Sequence, residues 1–399
     1  MSTYVGDIES NGLLDTITKV HCIVLQDVDT KEVFSYGPEN IQAGLDRMMD
    51  AEKLIFHNGI GYDFPALEKV YPDFHVDRDR VIDTLVLTRL IWTNLSDTDS
   101  PRVNAGKLEP RQRGSHSLDA WGKRLGVLKG DYGQSTDWSE WSPELQEYCE
   151  QDVAVTLKLW AAISAKEYSA TAIELEHKVA WIIAEQQRHG FLFDVAKAEK
   201  LLMHLQVERA KIEADLQTIF DPWYSAVEIK TPKRTINYKK TDRPSVTAGC
   251  PYTVIKFNTF NPNSRLHISN RLMAKYGWTP SSFTPDGRPK VDETILSELP
   301  YPEAQQIAKS LMLQKRIGQL GEGSKAWLLV EKDGRIHGSV NTNGAVTGRM
   351  THNYPNVSQT PSVNKPYGKE CRELYMVPKD KKLVGVDVSG LELRMLGHF

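Results

Sequence analysis

Residues 4–10 read YVGDIES, and the placement of this short stretch decides the fold. If residues 3–9 are extended, side chains alternate between two faces, and Asp7 and Glu9 project from the same one. Alone, such a pair is equally a solvated sheet edge, because an acidic chain holds several acid-x-acid pairs by chance. Its neighbours give it meaning. VHCIVLQDV (20–28) and EVFSYG (32–37) read as a hairpin, KLIFHNG (53–59) as a short buried strand, and YDFPALEKV (62–70) as a helix. RVIDTLVLTRLIW (80–92), SLDAWGKRLG (117–126) and the long run from Ser142 to Tyr168 are helical by apolar spacing, and 94–114 reads as a polar loop. Strands interleaved with helices predict an α/β layer domain over about the first 160 residues.

Beyond it the pattern changes. Glu174 to Phe220 is helical, broken at RHGFLFD (188–194), where Gly190 suits a helix end and Asp194 the next N-cap. Leu201, Leu202, Leu205, Ile212, Leu216 and Ile219 then form one stripe, and the two helices are expected as an elongated antiparallel arm. A basic Thr- and Pro-rich stretch within about 225–256 reads as a long exposed loop. Helices resume at 263–277, 292–299 and 302–330, and GRIHGSV, ELYMVP and KLVGVDV predict strands at the end.

Composition bounds the function. No run of 18 apolar residues suggests a membrane span, and four scattered cysteines (Cys22, Cys149, Cys250, Cys371) fit reduced thiols better than a disulfide frame or a zinc site. The net charge of −3 divides unevenly: residues 1–170 carry 17 Lys and Arg against 28 Asp and Glu, and residues 171–399 carry 32 against 24. An acidic half suits metal binding and a basic half phosphate contact, although surface variation between domains would read the same way.

In the acidic half, FHNGIGYD (56–63) ends a strand with two glycines and delivers Asp63 to a helix start. In YCEQD (148–152), Tyr148 and Asp152 are four apart and share a helix face. Asp152 sits in a run that reads as buried, where an unpaired carboxylate is costly and a metal ion removes the cost. Asp7, Glu9, Asp63 and Asp152 thus converge as oxygen ligands, which select Mg²⁺ or Mn²⁺. Two such ions about 4 Å apart can activate water and stabilise a leaving oxygen in phosphodiester hydrolysis. Asp83 is read as a helix cap rather than a support of the site.

The order D-x-E, N-G…Y-D, Y-x-x-x-D resembles that of proofreading 3′→5′ exonucleases of the DEDDy type on an RNase H-like fold. That resemblance implies that Asp7, Glu9, Asp63 and Asp152 hold two metals and that Tyr148 positions the nucleophile. The basic half resembles family A DNA polymerases, and within them the bacteriophage T-seven-like replicative enzymes. Thr347-Gly348-Arg349 followed by Pro355, Asn356, Gln359 and Pro361 carries this likeness, together with LMLQKRIGQLGEGSKAW (311–327) and DVSGLELRMLGHF (387–399).

The resemblance implies DNA contacts by Lys315, Arg316, Arg349, Asn356 and Gln359. It implies a polymerase metal site at Asp387 assisted by the Val388 carbonyl, and a sugar-sensing role for Glu392. The expected fold is an α/β exonuclease domain of RNase H type (1–165), a helical thumb (166–330) and the first, incomplete part of an α+β palm (331–399). The fingers helix and the His-Asp-Glu motif are not found in the sequence, so these residues alone are not expected to extend a primer. They would need a C-terminal polymerase part, and the stop after Phe399 reads as a cut through the palm that leaves a sticky end. Implied partners are single-stranded DNA 3′ ends and primer–template, in the cytoplasm of an infected bacterium.

At the position of the basic stretch the T-seven-like enzyme carries a larger insertion that binds thioredoxin. Thioredoxin or another processivity factor is therefore one implied partner. Direct DNA contact by Lys230, Lys233, Arg234, Lys239, Lys240 and Arg243 is the plainer reading. A competing reading is a non-catalytic DNA-binding scaffold subunit of a split polymerase, for which four convergent carboxylates have no use.

Overall fold

A computed structural model describes residues 2–127, 138–238 and 244–398. Lys239, Lys240 and Arg243 of the basic stretch lie outside the described residues, as does Phe399. The chain divides into two compact units, 1–190 with 337–358, and 191–336 with 359–399.

The first unit is built on a five-stranded sheet ordered β3-β2-β1-β4-β5. Its strands are β1 (Thr3–Ser10), β2 (Val20–Asp27), β3 (Val33–Tyr36), β4 (Lys53–Phe56) and β5 (Val81–Asp83). β1, β2 and β3 pair antiparallel, whereas β4 runs parallel to β1 and to β5. The hairpin, the short buried strand and the α/β layering predicted from sequence are therefore present. Helices α1 (Ile41–Asp50), α2 (Asp63–Val70), α3 (Thr84–Ile91), α4 (Leu95–Asn104), α5 (Leu118–Leu125), α6 (Pro143–Ser164) and α7 (Ala170–His189) complete the α/β layers.

Both faces of β1 are covered, so its alternation sorts side chains between two cores. Tyr4 and Ile8 pack with Leu45, Phe64 and Trp181, while Val5 packs with Cys22, Val24, Cys149 and Val153 under α6.

Several elements depart from the sequence reading. Val81–Asp83 is a strand and not the first turn of a helix, because three apolar-rich residues find the open edge of β4. The stretch 94–114 contains α4 despite its polarity and an internal Pro101. The two helices expected as an antiparallel arm fall in different compact units. α7 packs in the first unit, where Trp181 is buried beside Phe64 with ring centroids 6.2 Å apart. α8 (Val195–Ile219), capped by Asp194, belongs to the second.

In the second unit, β6 (Phe191–Phe193) precedes α8. The basic stretch is framed by a hairpin, β7 (Trp223–Lys230) with β8 (Tyr252–Asn258), so the long-loop reading holds only for the segment between them. One face of this hairpin, with Tyr224, Ile229, Ile255 and Phe257, is exposed. α9 (Arg265–Tyr276), α10 (Glu293–Glu298) and α11 (Pro302–Ile317) close a core with Leu216, Phe220, Phe260 and Ile268. α12 (Trp327–Val330), β9 (Glu331–Lys332) and β10 (Arg335–Ile336) follow. Trp327 is fully buried against Phe193 and Tyr375.

Returning to the first unit, β11 (Ser339–Asn341) pairs with β12 (Thr351–Asn353). A loop, 342–350, joins them. Finally come α13 (Gly368–Arg372), β13 (Tyr375–Met376) and α14 (Leu391–His398). The strand predicted at KLVGVDV is not formed. Residues 382–388 are exposed and meet no partner strand among the described residues, and an extended segment without a ladder is solvated chain. Among the described residues no helix is long and apolar enough to cross a membrane.

Candidate active site

Asp7 and Glu9 are half-buried on β1, on the face that looks toward α6. Opposite Glu9 in the β1–β2 register stands Cys22, and from α6 comes Cys149. The Cys149 thiol donates to Asp7 Oδ2 at 3.9 Å. One ligand atom each from Asp7, Glu9 and Cys149 falls within 4.8 Å of the others. Burial, the Cys22 thiol and the two carboxylates push the Cys149 thiol well above its ordinary range. Three residues further along the same buried helix face lies Asp152, 5% exposed, and Tyr148 is half-buried one position before Cys149. The Tyr148 ring meets Trp138 edge-on at 6.0 Å.

Asp63 opens α2 and is buried. Its carboxylate accepts the Ile8 N–H, which ties it to β1 between Asp7 and Glu9. Burial, reinforced by the Asp83 carboxylate, pushes its pKa up to about 7. The turn that delivers it is tight: a Cβ on Gly59 would stand 2.6 Å from the Phe56 Cβ, and Asn58 adopts a φ of 68°. Asp83 holds this turn by accepting from the Asn58 N–H at 3.0 Å, the Ile60 N–H at 3.1 Å and the Leu85 N–H at 2.8 Å. The third of these is the cap of α3 that the sequence suggested. The first two were not legible there. Tyr62 adds a further contact, its hydroxyl bonding Ser10 and the Gly12 carbonyl at the end of β1.

The residues expected to touch DNA from the basic half are placed unevenly. Lys315 and Arg349 are exposed, Asn356 is half-buried, and Gln359 is exposed with its carbonyl accepting from Gln319. Arg316 is 8% exposed and donates to the Pro366 carbonyl at 3.4 Å, so it packs inside the second unit instead of offering its charge at the surface. Asp387, Val388 and Glu392 are exposed and are not assembled with other carboxylates among the described residues.

The sequence reading treats Cys22 and Cys149 only as reduced thiols and passes over Trp138. Cys149 stands between Tyr148 and Asp152, which is a sequence signal, whereas Cys22 and Trp138 carry none.

Comparison with known proteins agrees with this layout. The family model for DNA polymerase family A matches residues 244–399, and the RNase H superfamily model matches residues 5–164. The DNA-directed DNA polymerase of Escherichia phage T7 is 38% identical over 99% of this chain and 69% of its own length. The Enterobacteria phage T3 enzyme of the same name is also 38% identical, with the same coverage. Thermostable DNA polymerase I of Thermus aquaticus is 23% identical over 65% of the chain and 27% of its own.

Among solved structures, the POL domain of Pol1 from M. smegmatis, in complex with DNA primer-template and dNTP, superposes with a TM-score of 0.61 at 13% identity. It covers 95% of this chain, which spans 55% of that one. An RNase H-like unit joined to polymerase sequence defines a class, and the phage relatives place the chain within it. It belongs to the family A DNA polymerases.

Proposed function

We propose that the first unit is a 3′→5′ exonuclease acting on DNA 3′ ends, within a phage replicative polymerase of family A. The observation that carries this is the meeting of three elements: Asp7 and Glu9 of β1, Asp63 bonded to the Ile8 N–H, and the α6 face that bears Cys149 and Asp152. The donor set fits a hard dication, because Asp7, Glu9, Asp63 and Asp152 all offer carboxylate oxygens, two of them from buried residues. Asp7, Glu9, Asp63 and Asp152 would hold Mg²⁺ or Mn²⁺, which supplies an activated water and a clamp on the leaving oxygen.

The chain's own residues do the rest. Tyr148, with its ring set by Trp138, orients the attacking water, and the Asn58–Gly61 turn fixes Asp63 against β1. Such a constellation has no role in a mere scaffold.

We further propose that residues 166–330 act as the thumb and 331–399 as the start of the palm. This functional division cuts across the two compact units, since α7 and 337–358 pack with the exonuclease unit. Lys315, Arg349, Asn356 and Gln359 then contact primer–template. Asp387, Val388 and Glu392 contribute to nucleotide addition once a fingers helix and a second carboxylate are supplied in a C-terminal part. The hairpin β7–β8 and its basic loop bind DNA directly, with thioredoxin or another processivity factor as the competing occupant.

The test is polarity and metal dependence. With Mg²⁺ the chain should release nucleotides from 3′-labelled single-stranded DNA, and EDTA should stop release. Release that begins at the 5′ end, or that persists in EDTA, contradicts the proposal.

A further inference from the structure

Arg89 lies on α3, six residues past Asp83. Its guanidinium forms no hydrogen bond or ion pair with any described residue, and its Nε is buried without a partner. Burial pushes its pKa down, and only the Asp83 carboxylate acts the other way. A partly buried cation whose Nε donor is unspent is costly, and a chain that keeps one gains stability when an anion enters.

The space for that anion is present. Arg89 lines a cavity of about 220 Å³ within the first unit, together with Asn58, Asp83, Gln187, Asn341 and Thr342. Its walls come from the turn before α2, from α3, α7 and β11. The β11 wall is fixed, because Gln187 Nε2 donates to the Val340 carbonyl at 3.0 Å. Two carboxylates are near. Asp83 is occupied by its three backbone N–H groups, and Glu176 takes the Thr342 hydroxyl while its Oε2 stays buried without a partner. What remains for a ligand is a planar guanidinium fork among amides, with aliphatic side chains of α3 completing the wall. A fork of this kind matches the oxygens of a phosphate.

We propose that this cavity is a phosphate-binding subsite for a nucleotide, with Arg89 as its anchor. The inference rests on the exonuclease reading only for the ligand's being a nucleotide. Two sources share the chemistry, a backbone phosphate of a bound strand and the phosphate of a free deoxynucleoside monophosphate.

The full chain in EDTA, where hydrolysis is silent, separates them. The probes are fluorescein-labelled hexathymidylate and dTMP. If a strand supplies the phosphate, Arg89→Gln should weaken hexathymidylate binding by about tenfold and flatten its log–log salt slope by about 0.7. Arg89→Lys should lose less, and dTMP should bind neither protein. If the free nucleotide is the ligand, dTMP should bind wild type and be lost in Arg89→Gln. Equal binding of both probes to wild type and variant, or no binding of either to wild type, overturns the proposal. Should Arg89→Gln lose its far-UV circular dichroism, Asn341→Asp on the β11 wall, which sets a negative charge beside the fork, takes its place with the same outcomes. Loss of Mg²⁺-dependent 3′ release with Arg89-dependent binding intact would contradict the exonuclease and leave the pocket standing.

Discussion

Asp83 holds two segments at once, the turn before α2 and the first turn of α3. Its carboxylate takes the N–H groups of Asn58, Ile60 and Leu85, and its own N–H donates to His177 Nε2 at 2.9 Å. A cap is visible in sequence because its partner is two residues away, whereas a bond across 25 residues is not. The same limit explains the site. Asp7, Glu9, Asp63, Tyr148 and Asp152 can be proposed from sequence because chemistry restricts the residue types. Cys149 and Trp138 matter only through where α6 lands, and Arg89 only through what it does not touch. Asp83→Ala strands buried backbone donors and should cost the first unit about 3 kcal/mol, read by urea denaturation. It should also slow 3′ release, since the turn that carries Asp63 loosens. Unchanged stability would remove Asp83 from that role.

Elements with strong periodicity were legible, and elements made by tertiary contact were not. β1, β2, β4, α2 and α6 follow from apolar spacing and turn residues. β5 was missed because its three residues run straight into α3, and α4 because its surface is polar. KLVGVDV has strand composition but no ladder to join, so propensity alone did not make a strand. α5 gives a test of packing at this level. His116, just before it, is pushed down to about 4 by burial and by the Arg89 and Arg124 cations, with Asp99 opposing. Because the folded value lies below the ordinary imidazole value of 6.5, His116 contributes stability that is complete above about pH 6.5 and is lost as pH falls toward 4. The difference in Tm between wild type and His116→Gln should therefore change across that window, and a constant difference would contradict it. The Asp99–Arg124 ion pair, 2.7 Å and buried on both sides, is shared by the two proteins and cancels.

The whole molecule is two units with separate cores, and the carboxylates belong to one of them. A dication that binds only folded protein stabilises by about 2.7 kcal/mol at a hundred times its Kd. Mn²⁺ should accordingly raise the melting transition of the first unit and leave that of the second in place, as read by scanning calorimetry. Both transitions moving together, or neither, would contradict a metal site confined to the first unit. The central claim is that Asp7, Glu9, Asp63 and Asp152 form one catalytic centre. It is tested most directly by the rate of Mg²⁺-dependent release from 3′-labelled single-stranded DNA in single variants. Removing charge stabilisation worth several kcal/mol should lower the rate by about 10³-fold or more in Asp7→Ala and in Asp152→Ala. Asp387→Ala should leave it unchanged. Release that survives in Asp7→Ala and Asp152→Ala would contradict the claim.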